Sequence, residues 1–549
     1  MQKKKLIITM LMLVGVTASL FVGCGGNKSN QESVDNGTLR LVSQSIKTMD
    51  SVKTADLYSS NIVQSTQETL LIYNNNKPVP GAAESYDKSD DEKTYTFHLR
   101  KGLKWSDGKN LTAKDFEYAW KRLLNPKVGA EYSFFLFDVK NAKEYFNGKV
   151  KSEDVGIKAI DDNTLVVTLE NPVPYFDQLV ANSVLAPQRE DVVEAQGDKY
   201  GSDPSKLVYS GPFTVATWQK GSKIELKKNP NYWDAKDIKL NEVDFMEVKE
   251  PSTIYQMFEN NQLDAIGGSG EYLAKLQQGT KDGKWNEVTG ISPNVSYSLY
   301  NLNGENKALK NPKVRLALSI AFNREGYTKD ILKRGVPAYG LIPQGITSEG
   351  IDYRDKVEQP LKEVINENPK QLLIEGLKEA GVDPDPSKHT FKLLLSSSDS
   401  ASKSQGEFMQ NTWKQKLGVN IELVTSADFS DFLTKKQSGD FEITAEGWNA
   451  DFNDPITFLN IFYKSNPNNS GKYDDARVNE LLEKLKTETD NKKRIEMYKE
   501  IEQIEVVKDP VGVPISYGDV HSFQKKNVKG LQLLKFGGVE QLRWTSIEK

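Results

Sequence analysis

The chain has 549 residues, 27% of them charged, and a mean hydropathy of −0.57. That length exceeds what one hydrophobic core organises and argues for about two to four domains. Acids outnumber Lys and Arg by 76 to 72, and Lys3, Lys4 and Lys5 sit in the N-terminal segment, so the remainder is distinctly acidic; no basic face for nucleic acid is expected. A single cysteine and three histidines leave no disulfide framework, no CxxC redox pair and no cysteine-rich metal site.

The chain opens MQKKKLIITMLMLVGVTASLFVGCGG. The apolar run 6–22 is short of the ~20 residues of a membrane span and ends in a small residue before Cys24. Phe21-Val22-Gly23-Cys24 resembles the lipobox of bacterial lipoproteins, with Phe21 in place of the usual leucine. The resemblance implies a signal peptide over residues 1–23 and lipidation of Cys24 as the first mature residue. An N-terminal anchor helix with an incidental cysteine is the alternative. Residues 24–37 are polar and rich in Ser and Asn, as a tether from the lipid would be. No later stretch has membrane-span length.

Strand and helix patterns then alternate. Residues 38–43 (TLRLVS) and 94–100 (TYTFHLR) have the two-residue period of half-buried strands, and 164–169 (TLVVTL) reads as a buried one. Residues 223–228 (KIELKK) follow the turn signal Gly221. Residues 112–124 predict a helix: Thr112 and Asp115 approach a capping box, and Phe116, Ala119, Trp120, Leu123 and Leu124 share one face. Pro312 starts a helix over 312–321, and 475–487 and 491–506 are long amphipathic candidates. The charge run 484–499 mixes both signs and reads as a solvated face. No repeat of ~20–50 residues appears, so a solenoid is not expected.

Four segments carry more than local structure: 93–122 (KTYTFHLRKGLKWSDGKNLTAKDFEYAWKR), 210–234 (SGPFTVATWQKGSKIELKKNPNYWD), 310–325 (KNPKVRLALSIAFNRE) and 447–459 (GWNADFNDPITFL). Within them Phe97, Leu99, Leu103 and Trp105 read as core, Ser106-Asp107-Gly108 and Gly211-Pro212 as turns, and Tyr232-Trp233-Asp234 as a packed corner. In this order, behind a lipobox-like segment, they resemble the family 5 extracellular solute-binding proteins of ABC importers, above all the oligopeptide-binding ones. The resemblance implies an α/β, periplasmic-binding-protein-like fold of type II, three-lobed and closing like a flytrap. Domain I would comprise 38–70, 206–295 and 514–549, domain II 71–205, and domain III 296–513. Two crossover strands, near 295–302 and 513–517, would form the hinge. Gly512 and Pro514 predict that the second is short or irregular.

Peptides share an ammonium, a carboxylate and a backbone. A broad-specificity site satisfies those groups, taking the backbone as an added strand and the ammonium on a carboxylate. The resemblance assigns the ammonium to Asp451 and backbone contacts to Gly447 and Asn449; a surface or turn aspartate is the other reading of Asp451. Trp448 is either a pocket wall or core. Asp56 and Leu57 align loosely with a backbone-contact segment on the opposite wall, and Tyr132 is a further candidate that packing alone would also explain. Asp454-Pro455 reads as a helix start. No basic residue presents itself for the peptide carboxylate, since Lys435 and Lys436 lie on a helix expected to be exposed.

His98, His389 and His521 have no partner at metal-ligand spacing, and no nucleophile elbow, P-loop or dinucleotide fingerprint occurs; an enzyme, a cofactor and a metal are not expected. The expected partners are an oligopeptide, a membrane permease with its ATPase subunits, and the membrane through the N-terminal lipid alone. The protein is expected to be a monomer on the outer face of a cell membrane, in a lysine-rich chain of Gram-positive character. Dipeptide, haem or nickel-chelate binding and pheromone reception remain open within the same fold, and an adhesion or scaffold lipoprotein outside it.

Overall fold

The computed structural model describes residues 37–536 and 538–548; Cys24 and the signal-like segment lie outside them. Three sheets organise the chain. The first has four strands in the order Thr38–Ser43, Glu242–Glu247, Lys223–Lys228, Phe213–Gln219, the first pair parallel and the rest antiparallel. The second orders Ala83–Lys88, Thr94–Leu99, Thr164–Thr168 and Ile157–Asp161, all antiparallel. The third has seven strands and is built around two long antiparallel ones, Trp285–Tyr300 and Gly512–Lys525.

Locally encoded elements form where their patterns place them. Thr112 and Asp115 close a capping box on the helix Ala113–Leu123, whose buried face is Phe116, Ala119, Trp120 and Leu123. Asn311 caps the helix Pro312–Ala321 through Lys313 N at 2.9 Å, with proline at its first turn. At Gly376 of the neighbouring helix Pro369–Glu379, a Cβ would come within 2.8 Å of Val314 N, so only glycine permits this approach. Phe97, Leu99, Leu103 and Trp105 are buried in the largest core cluster. Gly108, at φ +85°, completes the Ser106-Asp107-Gly108 turn. The Tyr232-Trp233 corner closes on Glu68, which accepts from Tyr232 Oη at 3.2 Å and Trp233 Nε1 at 3.0 Å and pairs with Arg543.

Two expectations need correction. The second crossover strand is not short: it runs over 14 residues. Gly512 fits because a Cβ there would overlap the Ser298 carbonyl oxygen. Pro514, which has no N–H to give, faces Tyr297 where the register shifts, and Arg324 Nε bonds its carbonyl at 2.7 Å. The irregularity is therefore present without ending the strand. Lys436 is not on an exposed face either. Its side chain is 13% exposed and pairs with Glu446 at 3.0 Å; Lys435 pairs with Asp431 at 2.8 Å. In the 484–499 run Lys484, Lys492, Lys493 and Lys499 are exposed, but Lys486 is half-buried and Arg494 is buried and bonds the Leu485 carbonyl at 2.8 Å. Among the described residues no helix is long and apolar enough to cross a membrane.

Candidate ligand-binding site

The site is built on the strand Ile443–Asn449 of the third sheet. One edge pairs antiparallel with Trp285–Tyr300, setting Ser296 opposite Gly447, Val295 opposite Trp448 and Asn294 opposite Asn449. The other edge pairs with Thr390–Leu395 through Ile443 and Thr444 alone. Beyond Thr444 that edge has no strand partner among the described residues, and Gly447 is exposed. An open edge of this kind is a template for an added strand.

Just past the strand, Asp451 turns inward and is 7% exposed. Its carboxylate accepts from Tyr132 Oη at 3.3 Å and faces Thr457 Oγ1 at 3.5 Å, while its own N–H donates to that Oγ1 at 3.1 Å. No cation is paired with it among the described residues, and burial pushes its carboxyl up to about 8. Tyr132 lies on the short helix Glu131–Leu136, and its ring stacks parallel to Trp448 at 6.2 Å and edge-on to Phe135 at 4.9 Å. Burial, and then the Asp451 charge, holds the Tyr132 hydroxyl well above its usual range, so it stays a donor. Trp448 Nε1 and Asn294 Oδ1 are buried with no hydrogen-bond partner among the described residues. The Asp454-Pro455 turn behaves as expected of a helix start: Asp454 accepts from Ile456 N at 2.9 Å and from Tyr498 Oη at 2.8 Å.

The helix Leu57–Thr66 supplies the opposite wall. Asp56 does not present a free carboxylate, because it caps this helix by accepting from Tyr58 N at 3.0 Å and Ser59 N at 2.8 Å. Leu57 and Tyr58 line a cavity of about 720 Å³ that Asn294, Asn449, Arg334 and Glu540 also line. A smaller cavity of about 200 Å³ adjoins it along Ser296, Glu446 and Tyr517 and shares Asn294 and Arg334. The structure thus brings Gly447, Trp448, Asn449, Asp451 and Tyr132 together and sets Asp56 and Leu57 across from them. Contacts bridge the two walls: Tyr58 meets Phe429 edge-on at 5.7 Å, Lys249 Nζ bonds the Ala427 carbonyl at 3.0 Å, and Ser400 Oγ bonds Glu250 at 2.9 Å. The cleft is closed.

Three charged features escaped sequence reasoning. Lys436 is pulled down by burial, but Glu446 and Glu131 more than offset this, and it stays a firm cation beside the strand. Arg334 is half-buried between the two cavities with no hydrogen bond or ion pair among the described residues; burial lowers its pKa, and Asp519 and Tyr58 counter this. Glu540 faces the larger cavity from the far end of the chain. Nothing in the sequence separates Arg334 or Glu540 from the other charged residues. His98 and His389 are engaged elsewhere, with Asp87 at 2.8 Å and the Asp383 carbonyl at 2.7 Å, while His521 lines the larger cavity and pairs with Glu287 at 2.7 Å.

Residues 77–470 match the bacterial extracellular solute-binding proteins, family 5 (middle). The chain belongs to this family. Among family 5 proteins, the oligopeptide-binding protein OppA of Bacillus subtilis is 33% identical over 539 residues, 96% of this chain and 97% of that protein. The substrate-binding domain of an oligopeptide ABC transporter from Bacillus anthracis superposes with a TM-score of 0.87 at 32% identity, covering 93% of this chain and 99% of that one. OppA of Listeria monocytogenes bound to peptide gives 0.86 at 28% identity, over 94% of this chain and 100% of that one. The fold of this family 5 protein is accordingly the α/β, type II periplasmic-binding-protein-like one, with the long strand pair Trp285–Tyr300 and Gly512–Lys525 as its crossover.

Proposed function

We propose that this family 5 protein is a substrate-binding receptor, not an enzyme, that captures extracellular oligopeptides in extended form and delivers them to an ABC importer. The observation that carries this reading is a buried carboxylate, Asp451, without a counter-charge among the described residues, placed just past a strand whose outer edge beyond Thr444 is unpaired among them. A peptide running along Ala445–Asn449 satisfies that edge with its backbone, and its ammonium supplies the charge Asp451 lacks. Gly447 and Asn449 give backbone contacts, Trp448 and Tyr132 wall the first side-chain position, and Leu57 bounds the opposite side. Arg334 offers the second pole, for a terminal carboxylate that reaches it.

The larger cavity falls in the upper half of the roughly 300–1,000 Å³ usual for small-ligand sites, at about 720 Å³. That volume favours oligopeptides over dipeptides. Binding closes the lobes because ligand contacts on both walls exist only in the closed state. In the proposed arrangement domain I comprises 38–70, 206–295 and 514–549, domain II 71–205 and domain III 296–513. The lipobox-like Phe21–Cys24 segment supports lipidation of Cys24 and tethering of a monomer to the outer face of the membrane by residues 24–37. The test is calorimetry with matched free and N-acetylated peptides on wild type and Asp451→Asn. A free-amine requirement that vanishes in the variant supports the reading, and binding of a dipeptide, bile acid or chelate in place of longer peptides replaces the ligand class.

A further inference from the structure

Asp451, buried beside the cleft, is not the only carboxylate without a counter-charge among the described residues. Glu540, in the C-terminal segment, lines the same cavity as Asn449 and Leu57. One of its oxygens accepts from Asn61 Nδ2 at 2.8 Å, and its N–H donates to Asn61 Oδ1 at 3.2 Å, so the helix Leu57–Thr66 fixes the carboxyl from behind. The other oxygen has no hydrogen-bond or ion-pair partner among the described residues. Two residues away, a Cβ on Gly538 would come within 2.2 Å of Gln64 Oε1, a buried acceptor that is itself without a donor.

The charged surroundings of Glu540 are few. From the helix the Tyr58 hydroxyl faces it, and Tyr58 in turn feels Asp56 and, across the cavity, Arg334. Lys535, on the same segment, lines the same cavity, but it is exposed and does not act on the Glu540 charge. Burial raises the Glu540 carboxyl to about 7, opposed by the Asn61 hydrogen bond and by no cation. A buried carboxylate is stabilised by a charge brought to it. Glu505 is also buried with both oxygens unpartnered, yet lines neither cavity of the cleft. Glu540 differs in opening onto the space the ligand fills.

We propose that Glu540 is a second cation-binding point of the cleft and takes the basic side chain, lysine or arginine, of the bound peptide. The proposal rests on the peptide reading above and narrows it from any extended peptide to one with a preferred position for positive charge.

The experiment is calorimetry of the mature chain with two hexa-alanine series, one carrying a single lysine at successive positions and the other norleucine at the same positions. At pH 8 one position prefers lysine over norleucine by about tenfold or more. Lysine keeps its charge throughout, whereas the ionised fraction of Glu540 falls from about nine-tenths at pH 8 to about one-tenth at pH 6, so the preference shrinks about tenfold over that interval. Glu540→Gln, which keeps an acceptor for Asn61, brings the ratio to within twofold of unity, and Glu540→Asp retains part of it. The wild-type pH series needs no variant to fold. Norleucine peptides that bind with no lysine preference at any position, or a preference that survives Glu540→Gln, overturn the proposal alone. Failure of both series to bind overturns the peptide reading and this proposal with it.

Discussion

Replacing Asp451 by Asn removes a charge and little else. Asparagine is of similar size and keeps an acceptor for Tyr132 and a contact with Thr457, whose hydroxyls lie 3.3 and 3.5 Å from the carboxylate. Asp451 is 7% exposed and has no paired cation among the described residues, so under the proposed function the ammonium of a bound peptide is its counter-charge. Removing one partner of a buried charge pair costs about 2–5 kcal/mol, so free-amine peptides lose roughly 30-fold or more in affinity. N-acetylated peptides, which never made the pair, change by less than about threefold. The pH dependence is more particular. With the free carboxyl held near 8, ionising it at pH 7 costs about 1.4 kcal/mol, and ion-pair formation releases about one proton. Wild-type affinity for free-amine peptides then rises about tenfold per pH unit from pH 5 to 7. It peaks near pH 8, where the peptide amine itself begins to lose its proton. Titration calorimetry in buffers of differing ionisation enthalpy reads both affinity and proton release. Equal losses for free and acetylated peptides, or a flat wild-type profile between pH 5.5 and 7.5, would refute the reasoning.

Three further outcomes are expected. The same substitution stabilises the ligand-free protein: the folded Asp451 carboxyl, near 8, keeps a proton that the unfolded chain gives up near 4, so wild-type stability falls as pH rises through that window. Asp451→Asn should raise the melting midpoint at pH 7.5, by up to about 5 kcal/mol in stability, with the gap closing toward pH 4.5. Gly447→Leu places a Cβ whose one neighbour is the Val295 carbonyl at 3.6 Å, an ordinary contact, so denaturant stability should hold within about 0.5 kcal/mol while peptide affinity drops because the exposed edge is obstructed. Arg334→Ala should cancel any preference for a free over an amidated C-terminus at one peptide length, measured by competition with a labelled peptide, and should leave the free-amine requirement intact.

What could be read from the sequence followed how local its cause was. The strands Thr38–Ser43 and Lys223–Lys228 and the helix Pro312–Ala321 have the limits their periodicity and caps predict, because alternation, Gly221, Asn311 and Pro312 act within a few residues. Asp451 was legible only through the motif around it; alone it is one acid among many. The second crossover strand was underestimated because the features that sustain it, the Ser298 carbonyl over Gly512 and Arg324 on the Pro514 carbonyl, come from distant parts of the chain. Lys436 was misjudged for a similar reason: Glu446, on the next strand, turns it inward. Arg334 and Glu540 left no signal, since what distinguishes them is the lack, among the described residues, of an ion-pair partner inside a cavity, and that exists only after folding.

Mass spectrometry of small molecules released by denaturing the purified protein, followed by calorimetry with peptides of graded length, tests the central claim most directly. The account predicts released peptides, and an affinity that climbs with length as backbone is laid along Ala445–Asn449 and levels off once both walls are spanned. Binding that is strongest for a non-peptide solute, or indifferent to peptide length and to the free amine, would contradict it.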